Sequence, residues 1–141
     1  MSGDLPLTGS CNCGKVRYEL HAQPFIVAAC HCANCRKQSG AAHSVNLAMA
    51  AKAVTITGDL SSYEDHGEDS GQPVLREFCG HCGSPIRSTP AATPKMVAIK
   101  AGTLDDPNPY PPTVHIWTSS AVSWANIPAD APRFEKGPPA K

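Results

Sequence analysis

The chain has 141 residues, with 12 basic and 12 acidic side chains and a formal net charge of zero. This balance gives no electrostatic reason to expect a nucleic acid or an anionic membrane as a partner. No apolar run approaches the roughly 20 residues that a membrane-spanning helix needs. Residues 1–7 carry no secretory signal, so we expect a cytoplasmic protein.

The predicted elements, taken in chain order, are mainly short β-strands. Apolar and polar side chains alternate at 15–20, which would place Val16, Tyr18 and Leu20 on one buried face. Alternation or a short apolar run predicts the other strands in the same way. The predicted strands are 15–20, 25–29, 45–49, 54–57, 74–78, 96–99 and 114–117.

The segments between these strands are predicted to be turns and loops, with one short helix. The helix is expected at 34–39, where Gly40 would end it. Residues 65–71 are expected to form a polar, solvated loop. Residues 107–112 should form another, because four prolines exclude a central strand there.

Many short strands separated by turns predict a mainly β domain, sandwich-like or barrel-like, with very little helix. The chain contains 14 prolines and 11 glycines, which also argue against long helices. We expect one domain over residues 8–135, with 1–7 as a flexible lead and 136–141 as a flexible tail.

The chain contains seven cysteines in three clusters. In a reducing compartment, clustered cysteines favour metal binding over disulfides, and an odd number cannot all pair internally. The clusters have the patterns CxC, CxCxxC and CxxC. They stand at Cys11 and Cys13, at Cys30, Cys32 and Cys35, and at Cys79 and Cys82.

The first and last clusters together offer four sulfurs, the number that closes a tetrahedral structural zinc site. Cys11 and Cys13 can face one ion because alternate residues of an extended chain point to the same side. An iron–sulfur cluster is the main alternative, although the ferredoxin spacings are not matched here. The other alternative is that these are ordinary buried cysteines.

The middle cluster, Cys30, Cys32 and Cys35, offers three sulfurs and would leave one zinc position open. Zinc with three thiolates carries a net negative charge and should accept a soft fourth ligand, such as a substrate thiol. A thiol bound there would lose its proton and become a nucleophile. The alternative is a closed site with a protein ligand. His43, His66, His81 and His115 are candidates, whereas His31 should point away from the neighbouring sulfurs.

Polar and aromatic residues near this cluster could contribute to a site. Arg36 and Lys37 could offset charge or meet a substrate carboxylate, or they could be a solvated basic pair. Ser39 could stabilise a developing alkoxide, or it could simply end the helix. Two tryptophans could either wall a pocket or belong to the core. They are Trp117 and Trp124.

Several blocks of the sequence resemble the signatures of the glutathione-dependent formaldehyde-activating enzyme (Gfa) family. Those that contain the cysteines are 9–18, 30–40 and 78–85. The later blocks at 102–107, 115–117 and 123–124 are also similar. The resemblance covers residues 8–135 and includes every cysteine.

The resemblance implies a zinc-containing β-tent fold with two zinc ions per chain. It implies a catalytic zinc on Cys30, Cys32 and Cys35, and a structural zinc on the remaining four cysteines, Cys11, Cys13, Cys79 and Cys82. The implied reaction condenses glutathione, or a related thiol, with formaldehyde, or a related aldehyde. It is classed as a carbon–sulfur lyase reaction. A non-catalytic zinc module for protein interaction, and a thiol-based redox sensor, remain the alternative functions.

Overall fold

A computed structural model describes residues 3–67 and 71–137, and within these ranges the regular secondary structure is mainly β. One α-helix, α1 (Ala33–Ser39), interrupts the strands, and short 3-10 helices lie at Ala51–Ala53, Ala101–Thr103 and Thr118–Ser120. The strands are β1 (Leu7–Ser10), β2 (Arg17–Leu20), β3 (Ile26–Cys30), β4 (Ser44–Ala50), β5 (Val54–Thr57), β6 (Leu60–His66), β7 (Pro73–Cys79), β8 (Pro85–Pro90), β9 (Met96–Lys100) and β10 (Val114–Ile116).

The strands form two open sheets. The smaller sheet is antiparallel, with the order β1-β2-β5, and the larger has the order β10-β3-β4-β9-β8-β7-β6. All neighbours in the larger sheet are antiparallel except β10 and β3, which run parallel. The predicted mainly β fold with very little helix is therefore confirmed.

Alternating side chains from both sheets build one core. Tyr18 and Leu20 on β2, and Val16 just before it, are buried, as their alternation predicts. Leu47 and Ile99, which are partners in the β4–β9 register, are fully buried in the same cluster. This cluster joins the two sheets and fixes which face of the larger sheet points away from it.

The larger sheet contains strands that the sequence did not predict. Asp65 and His66 belong to β6, so the predicted loop at 65–71 is wrong for these two residues. The reason is that β6 is an edge strand with mostly exposed, polar side chains and no apolar alternation. Residues 68–70 of that prediction lie outside the described residues.

Residues near both ends of the described chain contact the rest of the fold. β1 begins at Leu7, whose side chain is buried in the core, so the ordered sheet reaches into the predicted lead. Near the other end, the backbone N–H of Trp117 donates to the carbonyl of Lys136 at 2.9 Å. Residues 138–141 of the predicted tail lie outside the described residues. No helix in the described part of the chain is both long and apolar enough to cross a membrane.

Candidate metal centres

The four cysteines of the first and last clusters converge where two turns meet. Cys11 and Cys13 follow β1, Cys79 is the last residue of β7, and Cys82 lies in the turn between β7 and β8. The Sγ atoms of Cys11 and Cys13 are 3.5 Å apart, and those of Cys13 and Cys79 are 3.8 Å apart. All four sulfurs, including that of Cys82, lie within 4.8 Å of one another. A tetrahedron with Zn–S bonds of about 2.3 Å has edges of about 3.8 Å, so the cluster fits zinc.

Hydrogen-bond donors surround these sulfurs. The backbone N–H of Val16 donates to Cys11 Sγ at 3.2 Å, and Ser84 Oγ lies 3.4 Å from Cys82 Sγ. The hydrogen bonds from Ser84 lower the pKa of Cys82 to about 5. The turn closes at Gly83, which has φ of 83° and donates its N–H to the carbonyl of Cys79. The donors therefore favour thiolates at Cys11 and Cys82, the form that binds a metal ion.

The middle cluster is assembled by α1 and the end of β3. Cys30 is the last residue of β3, Cys32 caps the N-terminus of α1, and Cys35 lies in its first turn. Cys32 Sγ accepts the backbone N–H of Cys35 at 3.3 Å and lies 3.5 Å from Cys30 Sγ. The helix ends at Gly40, whose φ of 71° lets its N–H bond the carbonyl of Arg36. The three sulfurs lie within 4.8 Å of one another, which also fits a metal ion.

Positive charge lies beside these sulfurs. The two terminal guanidinium nitrogens of Arg76 are 3.9 and 4.0 Å from Cys35 Sγ. The thiols of Cys30 and Cys32, followed by the charges of Lys100 and Arg76, lower the pKa of Cys35. The pKa of Cys30 is raised, because its hydrogen bonds with the other two sulfurs favour its protonated form. The trio thus shares its protons unequally and already stabilises a thiolate at Cys35.

No histidine or carboxylate of the described residues joins the three sulfurs within the same distance. His31 instead contacts His115, with 2.9 Å between Nε2 and Nδ1, and its ring lies 4.7 Å from that of His43. Burial, followed by the charges of His43 and His115, lowers the pKa of His31 to about 4. His66 and His81 are exposed. The geometry is therefore compatible with a three-cysteine site that accepts an outside ligand.

A cavity of about 370 Å³ opens at the three sulfurs. Its polar lining includes Arg76 and Lys100, which are 5% and 6% exposed. Arg76 Nε donates to Asp65 Oδ2 at 2.7 Å, and Lys100 Nζ donates to Asn46 Oδ1 at 2.9 Å. Neither Arg76 nor Lys100 was predicted from the sequence. The available signal was a charged residue within or at the end of a mainly apolar strand.

The other predicted site residues lie in different surroundings. Arg36 and Ser39 do not line the cavity. Ser39 Oγ donates to the carbonyl of Arg36 at 3.2 Å and accepts the N–H of Ala41, so its contacts are those of a helix end. Trp117 lines the cavity, whereas Trp124 is 74% exposed and belongs to neither the cavity nor the core.

Comparison with known proteins agrees with this arrangement. The sequence model of the glutathione-dependent formaldehyde-activating enzyme family matches residues 6–120, which include all seven cysteines. The chain belongs to this family. A Halomonas elongata protein named "Putative glutathione-dependent formaldehyde-activating enzyme" is 31% identical over 128 residues, covering 86% of this chain and 80% of the relative.

A solved structure supports the fold. The crystal structure of a Rhodobacter sphaeroides protein superposes with a TM-score of 0.57 and covers 70% of this chain and 88% of its own. The two sequences are 18% identical, so this likeness concerns the fold alone. The mainly β architecture of this chain is therefore shared with a solved structure.

Proposed function

We propose that this protein is a zinc-dependent carbon–sulfur lyase that condenses a thiol with an aldehyde. Glutathione and formaldehyde are the pair that the family name suggests. The observation that carries the proposal is the set of three sulfurs, Cys30, Cys32 and Cys35, which converge at a cavity without a fourth protein ligand among the described residues. A site with three protein ligands is typical of catalytic zinc.

The three cysteines would hold the catalytic ion. Zinc bound to them would lower the pKa of a thiol that joins as fourth ligand, which supplies a thiolate at neutral pH. In the reaction, the sulfur forms a bond to the carbonyl carbon and the π electrons move to the oxygen. The oxygen then takes up a proton, which balances the proton that the thiol released.

Lys100 is well placed to stabilise the oxygen on which negative charge develops. Its ammonium group has three N–H donors, and the structure records one of them bonded to Asn46. The other donors can face the cavity that Lys100 lines. A buried cation stabilises such charge more strongly than an exposed one, because little water screens it.

The four-cysteine cluster would hold a second, structural zinc, giving two ions per chain. Cys11, Cys13, Cys79 and Cys82 complete the tetrahedral ligand set without a position for substrate. Clusters of reduced cysteines are typical of the cytosol, where we place the protein.

The first test measures zinc content and adduct formation in the wild-type protein and in Cys32→Ser. We expect two zinc ions in the wild-type protein and formation of the S-hydroxymethyl adduct of glutathione or a related thiol above the uncatalysed rate. Serine is a good helix N-cap, so Cys32→Ser should keep α1 while losing one zinc and the rate enhancement. Circular dichroism checks the fold. An unchanged rate in Cys32→Ser, or no enhancement by the zinc-loaded wild type with glutathione or any other thiol tested, would contradict the proposal.

A further inference from the structure

The cavity beside the three-cysteine site lies on a face of the larger sheet that carries unusually small side chains. Ala48 pairs with Ala98 in the β4–β9 register, and Ala28 lies on the neighbouring strand β3. The intervening residues Leu47 and Ile99 point into the core instead. Small residues on the outer face and large ones on the inner face leave a depression next to the sulfurs. The cavity is therefore built by the alternation of the strands themselves.

The walls of this cavity are mainly apolar. Its polar lining residues are Asn34, Asn46, Arg76, Ser88 and Lys100. The apolar wall includes Ile26, Ala28, Ala48, Val74, Ala98 and Trp117. An apolar wall of this kind binds a hydrocarbon group favourably and penalises a charged group that has no partner.

The two cations in the cavity already have partners. Arg76 is paired with Asp65. Burial lowers the pKa of Lys100, whereas the charges of the nearby sulfurs, that of Cys35 first, favour its ammonium form. The three thiolates with zinc would carry a net negative charge. These formal charges cancel. The cavity thus has no surplus positive charge for the carboxylates of a ligand, although the spare donors of Lys100 can bond a neutral carbonyl oxygen.

Glutathione matches this lining poorly. It carries two carboxylates and an ammonium group, and no acidic side chain is among the described residues that line the cavity. Formaldehyde has only two heavy atoms and cannot fill about 370 Å³, a volume within the range of sites that bind larger organic molecules. With formaldehyde as the aldehyde, the group that fills the cavity belongs to the thiol.

We propose that the site takes a thiol bearing an apolar substituent, of the size of a phenyl ring, in preference to glutathione. This inference rests on the proposed thiol–aldehyde condensation and names the substrate class of the same site. The thiol sulfur adds to the carbonyl carbon, the carbonyl electrons pass to oxygen, and the proton lost by the thiol is regained there. The substituent lies throughout on the outer face of the sheet that carries Ala28, Ala48 and Ala98, here called the alanine face.

The test compares thiol binding to the zinc-loaded full chain by isothermal titration calorimetry. The probes are phenylmethanethiol, 2-mercaptoethanol and glutathione. We expect phenylmethanethiol to bind roughly tenfold to hundredfold more tightly than 2-mercaptoethanol, because its ring is buried. Glutathione should bind no more tightly than 2-mercaptoethanol. Glutathione binding as tightly as phenylmethanethiol, or more tightly, overturns the inference.

A variant tests whether the alanine face causes the tighter binding of phenylmethanethiol. Ala98→Leu should fill part of the cavity. It should weaken the binding of phenylmethanethiol at least about tenfold and leave the binding of 2-mercaptoethanol unchanged. Ala129→Leu is the control, because Ala129 is exposed and outside the cavity lining. If Ala98→Leu does not fold, Ala48→Leu replaces it. Equal binding of phenylmethanethiol to the folded variant and the wild type contradicts the inference.

The two proposals fail in different ways. The proposed function fails, and the inference with it, if no thiol binds to the wild-type protein. Both fail likewise if every thiol binds to Cys32→Ser as tightly as to the wild type. If glutathione is preferred and its binding is lost in Cys32→Ser, the lyase site stands and only the apolar substrate class is wrong.

Discussion

Tyr18 shows how one buried side chain joins separate parts of this fold. It is 2% exposed, and its hydroxyl lies 2.8 Å from Thr103 Oγ1, beyond the end of β9. Its ring also lies beside Gly9 on β1, where a Cβ would meet the ring and, at 2.6 Å, the carbonyl oxygen of Thr103. A larger residue at Gly9 would therefore force these elements apart.

Because Tyr18 is buried, the stability of the folded protein should decrease at alkaline pH. Burial raises its pKa to about 12, so in the folded state it keeps its proton above the pH at which the unfolded chain loses it. The stabilisation is therefore complete below about pH 10 and is lost as the pH rises towards 12, by about 2–3 kcal/mol. Urea unfolding at several pH values measures this loss.

Tyr18→Phe is the control, since it removes the ionisable group and keeps the ring. The variant should lose about 1 kcal/mol at neutral pH with the hydrogen bond to Thr103. Its alkaline loss should be shallower than that of the wild type. Parallel pH profiles for the two proteins would show that Tyr18 does not cause the effect.

At the scale of elements, β6, β7 and α1 are held together by one ion-pair network. Asp65 on β6 accepts from Arg76 Nε on β7 at 2.7 Å and from Asn34 Nδ2 on α1 at 2.9 Å. Burial alone would raise the pKa of Asp65, but the hydrogen bonds from Arg76 and Asn34 hold it below its ordinary value. The edge strand β6 therefore positions both the helix and the guanidinium beside Cys35.

Asp65→Asn should destabilise the protein, because it leaves the buried guanidinium of Arg76 without a counter-charge. We expect a loss of about 2–4 kcal/mol in the free energy of unfolding, measured with urea at pH 7. Glu77→Gln is the matched control on β7. Its partner Arg87 has a side chain 23% exposed, against 6% for Arg76, so the loss there should be smaller. Equal losses would contradict the structural role of the Asp65 pair.

The strands that were predicted from the sequence have one face buried in the core, whereas the missed strand β6 does not. Alternation identified β2 and β4 because one of their faces is buried in the core. β6 has no such face, so its pairing with β7 depends on backbone hydrogen bonds that leave no pattern in the sequence. The short spacing between cysteines indicated the two metal-binding clusters, because residues close along the chain can bring their sulfurs to one ion. Arg76, Lys100 and Asp65 came together only through strand register, which spacing does not reveal.

At the scale of the whole molecule, the two clusters contribute differently to the fold. The four-cysteine cluster joins a turn of the smaller sheet to the β7–β8 turn of the larger sheet. The three-cysteine cluster lies within one short segment, 30–35. A metal that bridges distant segments stabilises the folded state more, because it closes a longer loop of the unfolded chain.

Zinc removal should therefore act mainly through the four-cysteine cluster. Chelation should lower the thermal midpoint of the wild-type protein, and Cys82→Ser should reproduce most of that decrease. Cys32→Ser should change the midpoint little, because only the local site is lost. Scanning calorimetry with and without chelator compares them. A larger decrease for Cys32→Ser than for Cys82→Ser would contradict this assignment.

The short span of the three-cysteine segment also has an evolutionary consequence. Cys30, Cys32 and Cys35 share one strand end and one helical turn, and the alanines beside them lie on the face turned away from the core. Mutations there can alter ligand chemistry or pocket shape without disturbing the packing between the sheets. Such a scaffold lets new substrates be accommodated through few substitutions, while the four-cysteine cluster and the core between the sheets stay unchanged.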